Sequence, residues 1–356
     1  MNASRHPAGG SLLENEMPKK QRAAVVFVHG LAKKPPPEKL REIWLWGLGR
    51  DEPKPEVFGN TNPGISLEDQ GISYSFTYWA DVFYGTDYET EYRDQYENAK
   101  ESAISIANFE AVAGDLQSPR PSTPREARFL AELELKLEAQ VMVQAITGAD
   151  AAPPAAALAT APGQFEIASW LPGPVKQAII RKAAMEAYYF LFDKEYQRPD
   201  GARYQVRREL RDRLVNDLRA AREVAEKIVI VSHSMGTMIA YDVLRNVVDC
   251  PQVDTLFTLG SPLGITEVQD ELRAAEVKDV DFPKARLLRW VNVFDPRDPI
   301  CGADPRFAND YTPVDGKEVE DIEESNWGDW RHTITHYLAG VRFRAALAGS
   351  LGIDLS

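Results

Sequence analysis

One serine, two histidines and two aspartates have neighbours that suit acyl transfer. The serine is Ser234, in the string IVIVSHSMGTMIAYDVL over residues 228–244. An apolar run that ends in small residues and gives way at once to helical spacing reads as buried strand, tight turn and helix. A serine at such a turn is held in a strained backbone conformation with its hydroxyl lifted above the sheet, in the pattern G-x-S-x-G. Here Ser232 stands where the first glycine is usual, and serine is small enough for the turn. The alternative role for Ser234 is a plain helix cap. A hydroxyl is a weak nucleophile at neutral pH and needs a base. Of the five histidines, His6 lies near the N-terminus, His29 ends the first apolar run, and His233 adjoins the serine with its side chain directed elsewhere. His332 and His336 remain as candidate bases. An imidazole base also needs an acid to orient it, and WVNVFDPRDPI offers Asp295 and Asp298. The N–H of Met235, directly after the serine, is a candidate donor to a developing oxyanion.

Further strings extend this set: FVHGL at 27–31, SHSMG at 232–236, TLGSPLG at 258–264, FDPRDPI at 294–300 and WRHTITHYL at 330–338. In this order the chain resembles an α/β-hydrolase of the lipase-like serine esterase type, from residue 23 to the C-terminus, apart from a middle block without a motif. The resemblance implies that nucleophile, acid and base follow one another along the chain. It implies Ser234 as nucleophile, Asp298 as acid and His332 as base, with Asp295 and His336 as alternatives. By the same resemblance, the second oxyanion donor is the N–H of Leu31, Gly30 lets the backbone approach, and His29 holds the loop. His29, Gly30 and His233 are expected to border the substrate. The implied activity is cleavage of carboxylic esters through an acyl-enzyme. Amidase, thioesterase and acyltransferase chemistry use the same groups, and a catalytically silent binding protein is the alternative of another class. No cofactor and no metal is expected; the expected partner is a small-molecule or lipid-like ester.

These residues need a scaffold. Apolar runs at 23–30, 72–80, 227–232, 253–259 and 287–294, with KEVEDIE at 317–323, read as strands. Helical spacing over 38–48, 203–227, from Thr237, and over 333–347 separates them. Such alternation predicts an α/β fold with a mainly parallel central sheet flanked by helices. Residues 1–22 are expected to be a flexible tail, and 23–356 the hydrolase-like domain. Residues 84–200 differ in texture and are expected to form a helical cap inserted in it. Tyr84, Tyr88, Tyr92 and Tyr96 recur every four positions there. Helices are expected over 126–146 and 174–192, with a low-complexity Ala/Pro loop over 148–163. Packing, an acyl tunnel or a peripheral membrane contact are the roles open to the cap.

Composition narrows the field. Apolar residues make up 44% and charged residues 27% of the 356, an ordinary globular mixture. The formal charge of −13, from 41 basic and 54 acidic residues, argues against a general nucleic-acid surface. Cys250 and Cys301 cannot build a disulfide framework or a zinc site, which points to a reducing compartment and a cytoplasmic protein. No run of 18 apolar residues spans a membrane. GSPLG at 260–264 lacks a Walker lysine and is expected to border the cleft.

Overall fold

The apolar runs become strands and the periodic segments between them become helices. In the computed structural model, which describes residues 20–31, 34–50, 62–86, 119–150, 173–273, 280–301, 304–326 and 331–355, the chain opens with β1 (Gln21–Val28), buried from Ala23 onward. Helix α1 (Pro37–Gly49) begins with proline in its first turn, where a missing N–H costs nothing. Next come β2 (Ser73–Thr77), the single turn α2 (Asp81–Tyr84), and the long helices α3 (Pro124–Asp150) and α4 (Gly173–Leu191). A short antiparallel pair, β3 (Glu195–Gln197) and β4 (Arg203–Gln205), leads into α5 (Val206–Val224). The remaining elements are β5 (Ala225–His233), α6 (Met235–Asn246), β6 (Val253–Leu259), α7 (Thr266–Leu272), β7 (Leu287–Phe294), β8 (Val319–Glu323), α8 (Ile334–Leu338) and α9 (Val341–Leu351).

Among the described residues, six strands form one sheet in the order β2-β1-β5-β6-β7-β8, parallel throughout. Alternate side chains enter two separate apolar layers, as a pleated strand requires. Ala24, Val26, Val28, Ile228 and Ile230 pack on one face with Leu210, Leu214 and Leu218 of α5, Ile239 of α6 and the buried half of α4. Ala23, Val25, Phe27, Val229 and Val231 pack on the other with Leu40, Trp44 and Leu48 of α1 and Phe343, Leu347 and Leu351 of α9. The order has one reversal. From β2 the chain returns to the opposite side of β1, so the segments after β1 and β5 diverge above adjacent strand ends. Crevices of this kind are where ligands bind in open α/β sheets.

Several segments differ from the sequence expectation. The helix expected over 203–227 starts at Val206, because residues 203–205 pair as β4, and it ends at Val224, where β5 begins. The last helix is two: Gly340 is extended (φ −62°, ψ 132°), and the carboxylate of Glu324 accepts the N–H of Phe343 at 2.8 Å, capping α9 from outside. A Cβ at residue 340 would lie 2.7 Å from Glu324 Oε1 and would push against the carboxylate that caps α9. α3 runs on to Asp150, which makes residues 148–150 helical. Residues 151–163, Tyr88, Tyr92, Tyr96 and residues 1–19 lie outside the described residues. α4 has more than one apolar face: from Lys182 to Leu191 it is buried on all sides and shares the core of the sheet. Among the described residues no helix is long and apolar enough to cross a membrane.

Helix α6, which follows Ser234, is locked by charge. Asp242 is fully buried on it and accepts paired hydrogen bonds from Arg207 and Arg211 of α5. These guanidiniums and their hydrogen bonds outweigh burial and hold the carboxyl below its ordinary value. Asp242→Ala would leave two cations facing a dry wall, although both retain partial access to water. We expect a loss of about 2–3 kcal/mol in urea unfolding, with Arg207→Met costing clearly less; equal costs would mean the carboxylate is not the hub.

Candidate active site

Between the end of β5 and the start of α6 a single residue reverses the chain. Ser234 has φ 53° and ψ −129°, a conformation L-residues rarely adopt. Its N–H donates to Leu259 O at 3.0 Å, and its carbonyl accepts from Thr237 Oγ1 at 2.6 Å and Thr237 N–H at 3.0 Å. The turn is thereby clamped to the end of β6 and to its own helix. Two glycines permit the approach of neighbouring chain. A Cβ at Gly236 would lie 2.5 Å from the carbonyl oxygens of Val28 and His29, and one at Gly30 would lie 2.7 Å from Ser234 Cβ. Ser232, in the place of a usual glycine, donates its hydroxyl to Phe257 O at 2.8 Å. The Ser234 hydroxyl is buried and meets no hydrogen-bond partner among the described residues.

The segments after β7 and β8 bring the candidate acid and the candidate base. His332 Nδ1 donates to Asp298 Oδ2 at 2.8 Å. Asp298 Oδ2 also accepts from the Tyr337 hydroxyl at 2.7 Å, and Oδ1 accepts the Ile300 N–H at 2.8 Å. Burial works to raise this carboxyl's pKa, but the charge and hydrogen bond of His332, with those of Tyr337 and Ile300, hold it below its ordinary value. Asp295 has a different office. It accepts from the N–H groups of Arg297 and Asn326, both at 2.8 Å, and from Arg331 at 3.1 Å, bonding to neither candidate histidine. Burial raises its pKa despite Arg331. His336 is buried on α8, and neither aspartate bonds to it.

The pair sits above the end of β6. Gly260 follows Leu259, the residue that clamps Ser234, and has φ +52°; a Cβ there would lie 2.8 Å from Asp298 Oδ2 and 3.1 Å from His332 Nδ1. Its string TLGSPLG thus borders the acid–base pair, and Ser261 Oγ bonds Thr237 Oγ1 at 2.6 Å. His233 stacks near His332, ring centroids 4.5 Å apart, and its Nε2 donates to His332 O at 3.1 Å.

On the β1 side, the N–H groups of Leu31 and Met235 donate to no acceptor among the described residues. His29 is wholly buried. Its Nε2 accepts the Trp79 N–H at 2.9 Å, which leaves the proton on Nδ1 to donate to Gly30 O at 2.7 Å. Trp79 stacks on the ring at 4.6 Å and donates its indole N–H to His29 O at 3.0 Å. With both nitrogens engaged, His29 braces the loop. Burial, reinforced by His332 and Lys34 for His233 and by Lys34 for His29, puts the pKa of both imidazoles well below its ordinary value.

The sequence reading missed Tyr337 and Trp79. Tyr337 lies inside the quoted string WRHTITHYL, but no spacing marks it as a partner of Asp298. Among the described residues, no cluster of three or more His, Cys, Asp or Glu could hold a metal ion. The described residues thus bring together a strained serine turn and a histidine–aspartate hydrogen bond at neighbouring strand ends.

No family model matches the chain, and no curated protein matches it. A solved structure described as that of an uncharacterized protein from Pseudomonas aeruginosa is similar to it at 9% identity, with a TM-score of 0.29. The match covers 94% of this chain, which spans about half (46%) of that one. A likeness so loose carries no argument.

Two buried neutral histidines set a pH dependence. Above about pH 6.5 neither the folded nor the unfolded chain protonates His29 or His233. Below it the unfolded chain binds protons that the folded one refuses, so stability falls with falling pH, by about 1.4 kcal/mol per unit for each residue. Urea unfolding between pH 7.5 and 5.5 should show this slope, and His233→Gln should reduce it by about one proton. An unchanged slope would mean that His233 is protonated in the native state.

Proposed function

We propose that the chain is a serine hydrolase of the α/β-hydrolase type, cleaving carboxylic esters through an acyl-enzyme. The observation that carries this reading is the strained Ser234 turn at the reversal of the sheet, with the His332–Asp298 pair beside the strand end that clamps it. Ser234 Oγ attacks the ester carbonyl while His332 takes its proton through Nε2. Asp298 keeps Nδ1 protonated, orients the ring and stabilises the imidazolium without accepting the proton. The N–H groups of Met235 and Leu31 bind the oxyanion, at a worth of about 3–4 kcal/mol for a well-aimed donor. His332 then protonates the leaving alcohol, and a water activated by the same imidazole releases the acid. The substrate is a small-molecule or lipid-like ester, with residues 84–200 acting as the cap that selects it. Cys250 and Cys301 are both buried and free, which supports a reducing, cytoplasmic setting.

A fluorophosphonate that captures activated serines should label Ser234 in the folded protein, and p-nitrophenyl esters of graded acyl length should be hydrolysed. Ser234→Ala should keep the fold and lose roughly 10⁴–10⁶ of the rate. Retention of a tenth of wild-type turnover would remove Ser234 as nucleophile. His332→Ala and Asp298→Asn should each lose most of the rate, and His336→Ala and Asp295→Asn far less. Activity surviving in both histidine variants would end the triad reading.

A further inference from the structure

Asp298 Oδ2 carries one donor more than orienting a histidine requires. Besides His332 Nδ1 at 2.8 Å it accepts the phenolic hydroxyl of Tyr337 at 2.7 Å. Tyr337 lies on α8, five residues beyond His332, and its side chain is entirely enclosed. A buried phenol must find a partner, but any carbonyl would serve. This one reaches the oxygen that also holds the imidazole, and it accepts the N–H of Asp295 at 3.2 Å. Through a single hydroxyl, the turn Asp295–Asp298 is bolted to the helix that follows the base.

We propose that Tyr337 is a positioning residue for the Asp298–His332 pair, fixing the plane of the carboxylate and limiting the hold of Asp298 Oδ2 on the imidazole proton. Its effect on rate rests on the hydrolase reading; its effect on the pair does not. A carboxylate oxygen that accepts two hydrogen bonds spreads its charge over both and is a weaker base toward each. Without the phenol, Oδ2 would face His332 alone in a site closed to water. The imidazolium would then be favoured, and the base would stay protonated to higher pH. The carboxylate would also keep only the His332 and Ile300 bonds to resist rotation about its own axis.

The other groups around the pair do not substitute for this bond. From the β7 turn come Asp295, which is matched by Arg331 of the loop before His332, and the Cys301 thiol, 3.7 Å from the Tyr337 hydroxyl. From β5 comes His233, with Lys34 and His29 acting on it from the β1 side. Burial keeps Cys301 protonated and His233 neutral. Burial and the charge of Asp298 likewise push the Tyr337 phenol well above its ordinary pKa, so it remains a donor throughout the working range.

The test compares wild type with Tyr337→Phe. NMR would follow the His332 ring through a pH titration, and kcat and KM would be measured on a p-nitrophenyl ester across the same range. We expect the titration midpoint of the variant to move to higher pH by about half a unit or more. The rising limb of the rate profile should move with it, kcat should fall roughly 10-fold, and KM should stay within about twofold. Coincident titrations would overturn the inference even if kcat fell, because a merely structural loss does not shift the midpoint. Should wild type hydrolyse no ester and Ser234 resist labelling, the hydrolase reading fails while the titration still decides the role of Tyr337. Should the variant not fold, wild type alone decides: the Tyr337 hydroxyl proton and the His332 Nδ1 proton share one oxygen, so both resonances must shift through one titration. A phenolic resonance indifferent to it would overturn the proposal.

Discussion

The close approach of two strand ends governs the site. β1 and β5 run in parallel with Val28 opposite Ser232, and the chain leaves both strands over the same edge. For Ser234 to turn there, the backbone after β1 must come within contact of its Cβ, and the first turn of α6 must press on the carbonyls of Val28 and His29. Only glycine at 30 and 236 allows both. The turn itself is uncomfortable: a non-glycine residue at positive φ costs of order 1–3 kcal/mol. What offsets it is local and visible. Leu259 O takes the Ser234 N–H, Thr237 takes its carbonyl, and Asp242 with its two arginines anchors the helix it starts. Strain at one residue is held by bonds to three elements.

Asp295 and Asp298 show how three residues of sequence separation can divide two chemistries. Both are buried and both accept backbone N–H groups, yet burial wins at Asp295 and loses at Asp298. The difference is the company. Asp295 faces Arg331, which is partly exposed, and its bonds tie together backbone on either side of β8. Asp298 faces an imidazole and a phenol in a fully closed position, and their hydrogen bonds hold its charge there. One aspartate builds the loop that carries His332, and the other meets the ring that loop presents.

Much of this was legible in the sequence because it depends on local pattern. Strand β7 and strand β6 fall on the apolar runs that predict them, and the strand–turn–helix around Ser234 follows from short-range steric demands. The preference for Asp298 over Asp295 rested on likeness to a family, and in the structure Asp298 is the one of the two that bonds His332. Illegible were the features that arise only from long-range packing. Nothing in KEVEDIEESNWGDWRHTITHYLAGVRF announces that Glu324 caps a helix 17 residues later, or that Gly340 must break the helical pattern to let it. The enclosure of α4 from Lys182 to Leu191 was hidden for a similar reason: small residues such as Ala183, Ala184 and Ala187 look neutral in sequence, and only a close neighbour buries them. The middle block has no motif, since shape and polarity there can be supplied by many side chains.

A five-residue helix such as α8 has no stability of its own, since nucleating a helical turn is unfavourable and so short a segment gains few bonds in return. It holds its place because both of its ends are tied down. On the N-terminal side, Asn326 donates to Arg331 O and Arg331 reaches Asp295, which fixes the backbone entering His332. On the C-terminal side, the buried guanidinium of Arg344 donates to Leu338 O and also to the carbonyls of Gly47, Arg50, Asn62 and Pro63. That second tether is to α1 and the segment before β2, the far edge of the sheet. His332 and Tyr337 are therefore held over Asp298 by anchors from opposite edges. A histidine that enters a helix too short to stand alone thus takes its position from both edges of the sheet.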